Sequence, residues 1–173
     1  DVIRDNARAA NVLGINMLTV HPGLSSMVVK ETEDAALVRA KTSMKELEKI
    51  SAEYGVTMAI ENMPNVPFFL GRTASQLADI IDGTDLKVCY DIGHAHTTGE
   101  NDAMTSLFGD RIVNVHIHDN NGERDEHNTI GDGSVDFTRV IKSLNGYTGN
   151  YVIESRSFDS AVESQKRLKK LLS

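Results

Sequence analysis

Hydrophobic positions along the chain gather into five short runs rich in β-branched and apolar residues, each closing on a polar cluster. They extend over Asn16 to His21, Val56 to Glu61, Lys87 to Asp91, Ile112 to His118 and Tyr151 to Glu154. Runs this short, bounded by loop-forming residues, predict buried β-strands. Between them the period changes. Leu37, Ala40, Met44, Leu47, Ile50 and Tyr54 recur at spacings of three and four and predict a helix from about Asp34 to Tyr54, stopped by Gly55. Thr73-Ala74-Ser75-Gln76 fits a capping box; Leu77, Ile80 and Ile81 supply the stripe that follows, and Asp82-Gly83 ends it. Further helices are expected near Val2 to Leu13, Ala103 to Phe108, Phe137 to Leu144 and Asp159 to Leu172. Asn120-Asn121-Gly122 and Gly131-Asp132-Gly133 mark turns within one long loop.

Strands that alternate with helices and read as apolar throughout imply parallel βα units covered on both faces. A doubly wound open sheet and part of a (β/α)₈ barrel both fit. The open sheet is weakened because no strand leads into GxGxxG or GxxxxGK[ST]. The barrel is favoured because each strand ends in a potential ligand, on the face where barrel enzymes place their chemistry. Residues 1–173 are expected to form one domain, the C-terminal portion of such a barrel.

Composition adds limits. With 173 residues, 40% hydrophobic and 25% charged, the chain can bury a sizeable core. No apolar run approaches the ~18 residues that span a bilayer, so no membrane association is expected. The single Cys89 excludes an internal disulfide framework and suits a cytoplasmic setting. Its place within a predicted strand reads as core rather than nucleophile, and Ser25 and Ser26 lack the Gly-x-Ser-x-Gly setting of a serine hydrolase. A net charge of -7 argues against a simple polyanion-binding surface, although bound cations would offset part of it. Lys166, Arg167, Lys169 and Lys170 read as the solvated face of the last helix.

Candidate chemistry sits at the strand ends. His21 closes the first strand, Glu61 the second, and Asp91 with His94 the third; His116 and His118 lie on the fourth; Asp125 and His127 follow in the loop, and Glu154 closes the fifth. Read as pointing to opposite faces of the strand, at most one of His116 and His118 is expected to face the barrel axis. Taken singly, each residue is as well explained as a cap, a turn former or a core histidine. Taken together they would place carboxylates at one mouth, where unpaired charges repel and pay a desolvation penalty. A divalent metal resolves both problems, and His nitrogen with carboxylate oxygen suits zinc or manganese, with magnesium, cobalt and iron also admissible.

The ordered series His-Pro-Gly, Glu-Asn-Met-Pro, Asp-Ile-Gly-His-Ala, Val-His-Ile-His-Asp-Asn, Asp-Glu-His-Asn-Thr-Ile-Gly-Asp-Gly and Val-Ile-Glu-Ser resembles the xylose isomerase-like barrel superfamily, from His21 to Glu154. That superfamily contains sugar and sugar-phosphate isomerases and epimerases as well as the endonuclease IV family. Its isomerase branch implies one divalent ion held by Glu61, Asp91, His116 and Glu154, with His94 contacting substrate oxygen. Its endonuclease branch implies up to three zinc ions, using His21, Glu61, Asp91, His94, His116, Asp125, His127 and Glu154. The resemblance also implies eight strands in roughly 250 residues or more. Only five are found here, corresponding to strands four to eight, so an incomplete barrel with little activity of its own is expected.

The expected function is a metal-dependent isomerase or epimerase of a small sugar or sugar phosphate, with Glu61 and Glu154 as the catalytic carboxylates moving a proton through a metal-stabilised enediolate. The alternatives are a zinc-dependent endonuclease acting on abasic DNA, and a metal-binding barrel fragment without catalysis. The expected partner is accordingly a sugar, or abasic DNA under the alternative. A homo-oligomer is the expected means of completing or covering the open barrel edges.

Overall fold

The computed structural model describes residues 2–25 and 33–173, and Ser26 falls outside them. Five parallel strands, β1 (Met17–Val20), β2 (Thr57–Glu61), β3 (Lys87–Asp91), β4 (Ile112–Ile117) and β5 (Asn150–Ile153), pair in the order of the sequence. A doubly wound sheet would reverse direction at a switch point. This sheet does not, and it forms the continuous wall of a partial barrel. Helices α1 (Val2–Leu13), α2 (Glu33–Tyr54), α3 (Ala74–Ile80), α4 (Ile92–Thr98), α5 (Asn101–Phe108), α6 (Phe137–Ser143) and α7 (Phe158–Leu171) connect and cover the strands.

Alternation along the strands separates two environments. Met58 and Ile60 of β2, Val88 and Tyr90 of β3, and Val115 and Ile117 of β4 belong to the apolar core shared with Met44, Leu47, Ile50, Leu77 and Phe108 of the helices. The intervening positions are Ala59 and Glu61, Cys89 and Asp91, and Asn114 and His116. All but Ala59 carry polar groups, and some meet one another: Asn114 Nδ2 lies 3.4 Å from Thr19 Oγ1 and 3.5 Å from Cys89 Sγ. The strands are therefore not apolar throughout; their inward face is polar. Cys89 is fully buried, as expected of a core position.

The capping box at Thr73 forms in part. Thr73 Oγ1 accepts from Gln76 N, whereas the Gln76 side chain reaches past it to accept from Gly71 N and, more weakly, Arg72 N. Helix α4 was not expected. It carries no one-sided apolar stripe, because most of it is buried all round, and it starts because the Asp91 carboxylate accepts from His94 N at 2.7 Å. Arg167 departs from the expected solvated role by donating to Ile130 O and the Asp132 carboxylate across the long loop. Among the described residues, no helix is long and apolar enough to cross a membrane.

Candidate metal centre

Glu61 and Asp91 end adjacent strands, and the register places Asp91 beside His116. Both carboxylates are buried, at 3% and 0% exposure. Asn62 joins the two strand ends: its amide oxygen accepts from Asp91 N (2.8 Å) and its amide nitrogen donates to Asp91 O (2.9 Å). Glu154 follows β5 directly, and its backbone N–H donates to Ile117 O. His116 Nδ1 lies 2.9 Å from both Glu61 Oε1 and Glu154 Oε1, and 4.0 Å from Asp91 Oδ2. Donor atoms of Glu61, Asp91, His116 and Glu154 all fall within 4.8 Å of one another. The four residues expected to hold one ion are thus brought together.

His21 reaches the same carboxylate from the first strand, its Nε2 3.1 Å from Glu61 Oε2. His94 stands over the site from α4, with Nδ1 donating to Asn62 O at 2.9 Å and Nε2 3.5 Å from Asp125 Oδ2. His127 Nε2 is 3.2 Å from Asp125 Oδ2, and its Nδ1 is 3.7 Å from Glu154 Oε2. It holds a left-handed backbone (φ 51), a conformation that costs a non-glycine residue energy and is kept where the surroundings impose it. All eight residues expected as ligands therefore meet at one mouth.

His118, a candidate by its place on the fourth strand, was left out of both ligand sets, and the expectation that at most one of the paired histidines faces inward is overturned. Residues two apart on a strand share a face, so the same parity that turns His116 inward turns His118 inward as well. His118 Nε2 lies 3.3 Å from Asp91 Oδ1 and 3.4 Å from Asp125 Oδ1, with the ring fully buried. The missed signal was the spacing itself.

The electrostatics register a concentration of like charge. Burial opposes ionisation of Glu61, yet contacts with His116 and His21 outweigh it and lower the carboxyl to about 2. Burial likewise opposes a charge on His116, but Cys89, Glu154 and Glu61 beside it carry its pKa up to about 12. His94 is raised to about 9, against burial, by Asp91 and Asp125. Asp125 is lowered by His127 and His94 despite burial. His21, His94, His116 and His127 are thus driven to hold a proton by surrounding carboxylates. A divalent cation meets the same demand, and it fits: Asp91 Oδ2 is buried, has no hydrogen-bond partner and belongs to the tetrad.

Fold and site together define a barrel with a carboxylate- and imidazole-lined mouth, and comparison with known proteins identifies its family. The chain belongs to the xylose isomerase-like TIM barrel family, whose model matches residues 1–171. An uncharacterized protein of Methanocaldococcus jannaschii is 35% identical over 180 residues, which cover 99% of this chain and 61% of that protein. The crystal structure of a D-tagatose 3-epimerase-like protein superposes with a TM-score of 0.88 at 34% identity, over 98% of this chain and 66% of that one. A probable endonuclease 4 of Acholeplasma laidlawii is 28% identical over 150 residues, 76% of this chain and 50% of that protein. The chain thus spans 50–66% of the length of these relatives.

Proposed function

We propose that the chain supplies the catalytic half of a divalent-metal-dependent isomerase or epimerase acting on a small sugar or sugar phosphate. The observation that carries this reading is the convergence of Glu61, Asp91, His116 and Glu154 within 4.8 Å. A bound divalent ion would polarise a substrate carbonyl and its neighbouring hydroxyl and stabilise the enediolate formed between them. Glu61 and Glu154 approach His116 Nδ1 at equal distance, and we assign them to the two sides of the substrate carbon. One takes the proton from the C–H bond; the electron pair moves into the enediolate. The other, protonated beforehand, returns a proton at the opposite face for epimerisation; for isomerisation the proton returns at the neighbouring carbon while the hydroxyl proton passes to the former carbonyl oxygen. Asp91 is held by Asn62 and serves the metal alone, and His94 lies within reach of a substrate oxygen. The likeness to a D-tagatose 3-epimerase-like protein supports the substrate class. Zinc and manganese are the metals we favour.

A second reading, zinc-dependent cleavage of abasic DNA, draws on the Asp125 and His127 pair and on the likeness to a probable endonuclease 4. Hydrogen–deuterium exchange separates the two. The full-length protein, loaded with manganese or zinc, is incubated with a panel of ketoses and ketose phosphates in D₂O and followed by proton NMR. Metal-dependent loss of a C–H signal next to the carbonyl, lowered by at least about 100-fold in Glu154→Gln, is expected. No exchange on any sugar, with metal-dependent nicking of abasic duplex, would replace the first reading by the second.

A further inference from the structure

Two asparagines in the chain precede a glycine, Asn121 before Gly122 and Asn145 before Gly146. Such a pair can cyclise without an enzyme, because glycine has no side chain to shield its nitrogen or restrict its backbone. The glycine N–H loses its proton and the nitrogen attacks the asparagine Cγ. An N–Cγ bond forms, the Cγ–Nδ2 bond breaks, and the amide nitrogen leaves with that proton as ammonia. Water then opens the succinimide at either carbonyl, giving aspartate, or isoaspartate with one more carbon in the main chain. The reaction needs a free asparagine amide and a free glycine N–H, and the two pairs differ in both. Asn121 Nδ2 donates to Glu126 Oε2 at 2.8 Å, and Asn121 N donates to the same oxygen at 3.0 Å. Gly122 N–H donates to Asn120 Oδ1 at 2.8 Å, which favours the protonated nitrogen. Asn145, by contrast, is exposed. Tyr147 N donates to Leu144 O at 2.9 Å, so Asn145 and Gly146 are the two central residues of a β-turn, with Gly146 at φ 82. Among the described residues, neither the Asn145 side chain nor the Gly146 N–H has a hydrogen-bond partner. A Cβ on Gly146 would meet nothing within 4 Å, so the ring has space to close.

We infer that Asn145 is a site of spontaneous deamidation in the folded protein, whereas Glu126 holds Asn121 against the same reaction. The two positions differ in consequence. Asn145 lies in the turn before β5, at the opposite end of the strands from the candidate metal centre, where a new carboxylate joins an exposed turn. Asn121 lies in the β4–α6 loop that carries Asp125 and His127. Glu126 Oε2 also accepts from Asn128 Nδ2 at 3.1 Å, so one carboxylate oxygen gathers three donors along this loop. An aspartate at position 121 would replace one of those donors by a second negative charge facing Glu126, and like charges in contact repel. Isoaspartate would in addition lengthen the main chain four residues before Asp125. Glu126 therefore keeps intact the pair whose loss would disturb the mouth, and leaves exposed to ageing the pair whose loss would not.

No step involves a metal or a substrate, so the outcome is independent of the reaction assigned to the carboxylate centre. The full-length protein is held in mildly basic buffer, both native and unfolded in guanidinium chloride. The tryptic peptides Ile112–Arg124 and Ser143–Arg156 are followed by mass spectrometry, with fragment ions locating each change. Native Asn145 is expected to convert within about threefold of its unfolded rate, and native Asn121 at least about 10-fold below its own, the factor that an ordinary hydrogen bond sets. In Glu126→Ala, the native Asn121 rate is expected to rise by at least about 10-fold, while the Asn145 rate stays where it was. Native Asn121 converting as fast as native Asn145, or native Asn145 slowed as much as Asn121, would overturn the proposal. An unmoved Asn121 rate in Glu126→Ala would overturn the role given to Glu126. Should that variant fail to fold, the native-to-unfolded ratios of the unaltered protein decide.

Discussion

At Gly93, in the first turn of α4, a Cβ would lie 2.1 Å from His118 Cε1 and within 2.5 Å of both ring nitrogens. The His118 ring is buried. Gly93→Ala is accordingly expected to destabilise the fold by roughly 1–3 kcal/mol, the range for overpacking a filled interior. Urea denaturation of the two proteins measures it, and a difference below about 0.5 kcal/mol would show that the ring can turn aside. The same residue marks how far single positions were legible. Glu61, Asp91, His116 and Glu154 could be picked out because each sits at or near the end of an apolar run, and the structure brings them together. His118 occupies the same kind of position two residues beyond His116, and strand parity alone was enough to include it. His21 and His94 were visible as strand-end residues, but their partners, Glu61 and the Asn62 carbonyl, depend on strand register and could not be read from the chain.

Among the elements, the loop between β4 and α6 rests its shape on a single side chain. Asp119 is fully buried and accepts from Asn120 N and Val135 N through Oδ1 and from Gly131 N and Gly133 N through Oδ2. Asp119→Asn would turn an amide N–H₂ toward two of these donors. Each buried N–H group left unpaired costs about 1–3 kcal/mol. The expected outcome is a fall in thermal stability. An unchanged melting temperature would refute the clamp. The turn residues of this loop were legible, and Gly122 and Gly131 do take left-handed backbones. The clamp was not, because nothing in a sequence tells which carboxylate will find four backbone donors. Helix α4 escaped for a related reason: Gly93 and the β-branched Thr97 and Thr98 give it poor propensity, and its start depends on the Asp91 cap.

For the molecule as a whole, strand–helix alternation pointed to parallel βα units, but only the observed strand order separates a partial barrel from an open sheet. That curvature gathers charge at one mouth, and the consequence is a dependence of stability on pH that reverses with metal. In the metal-free protein His94 is raised from 6.5 to about 9 and His116 from 6.5 to about 12. Both therefore stabilise the fold fully below pH 6.5, and the contribution fades as pH rises through those higher values. Glu61, lowered from 4.5 to about 2, contributes above pH 4.5 and is lost as pH falls toward 2. Metal-free protein should thus be most stable between these limits and weaken from pH 6.5 to 9. A divalent ion held by the tetrad would require the His116 imidazole to be neutral, so protons compete with it and its stabilisation grows over that interval. Melting curves at several pH values across 6.5–9, with chelator and with saturating zinc, should therefore diverge as pH rises. Parallel curves would mean that His94 and His116 do not hold protons in the metal-free fold, and the carboxylates around them would then have to be neutralised by some other means.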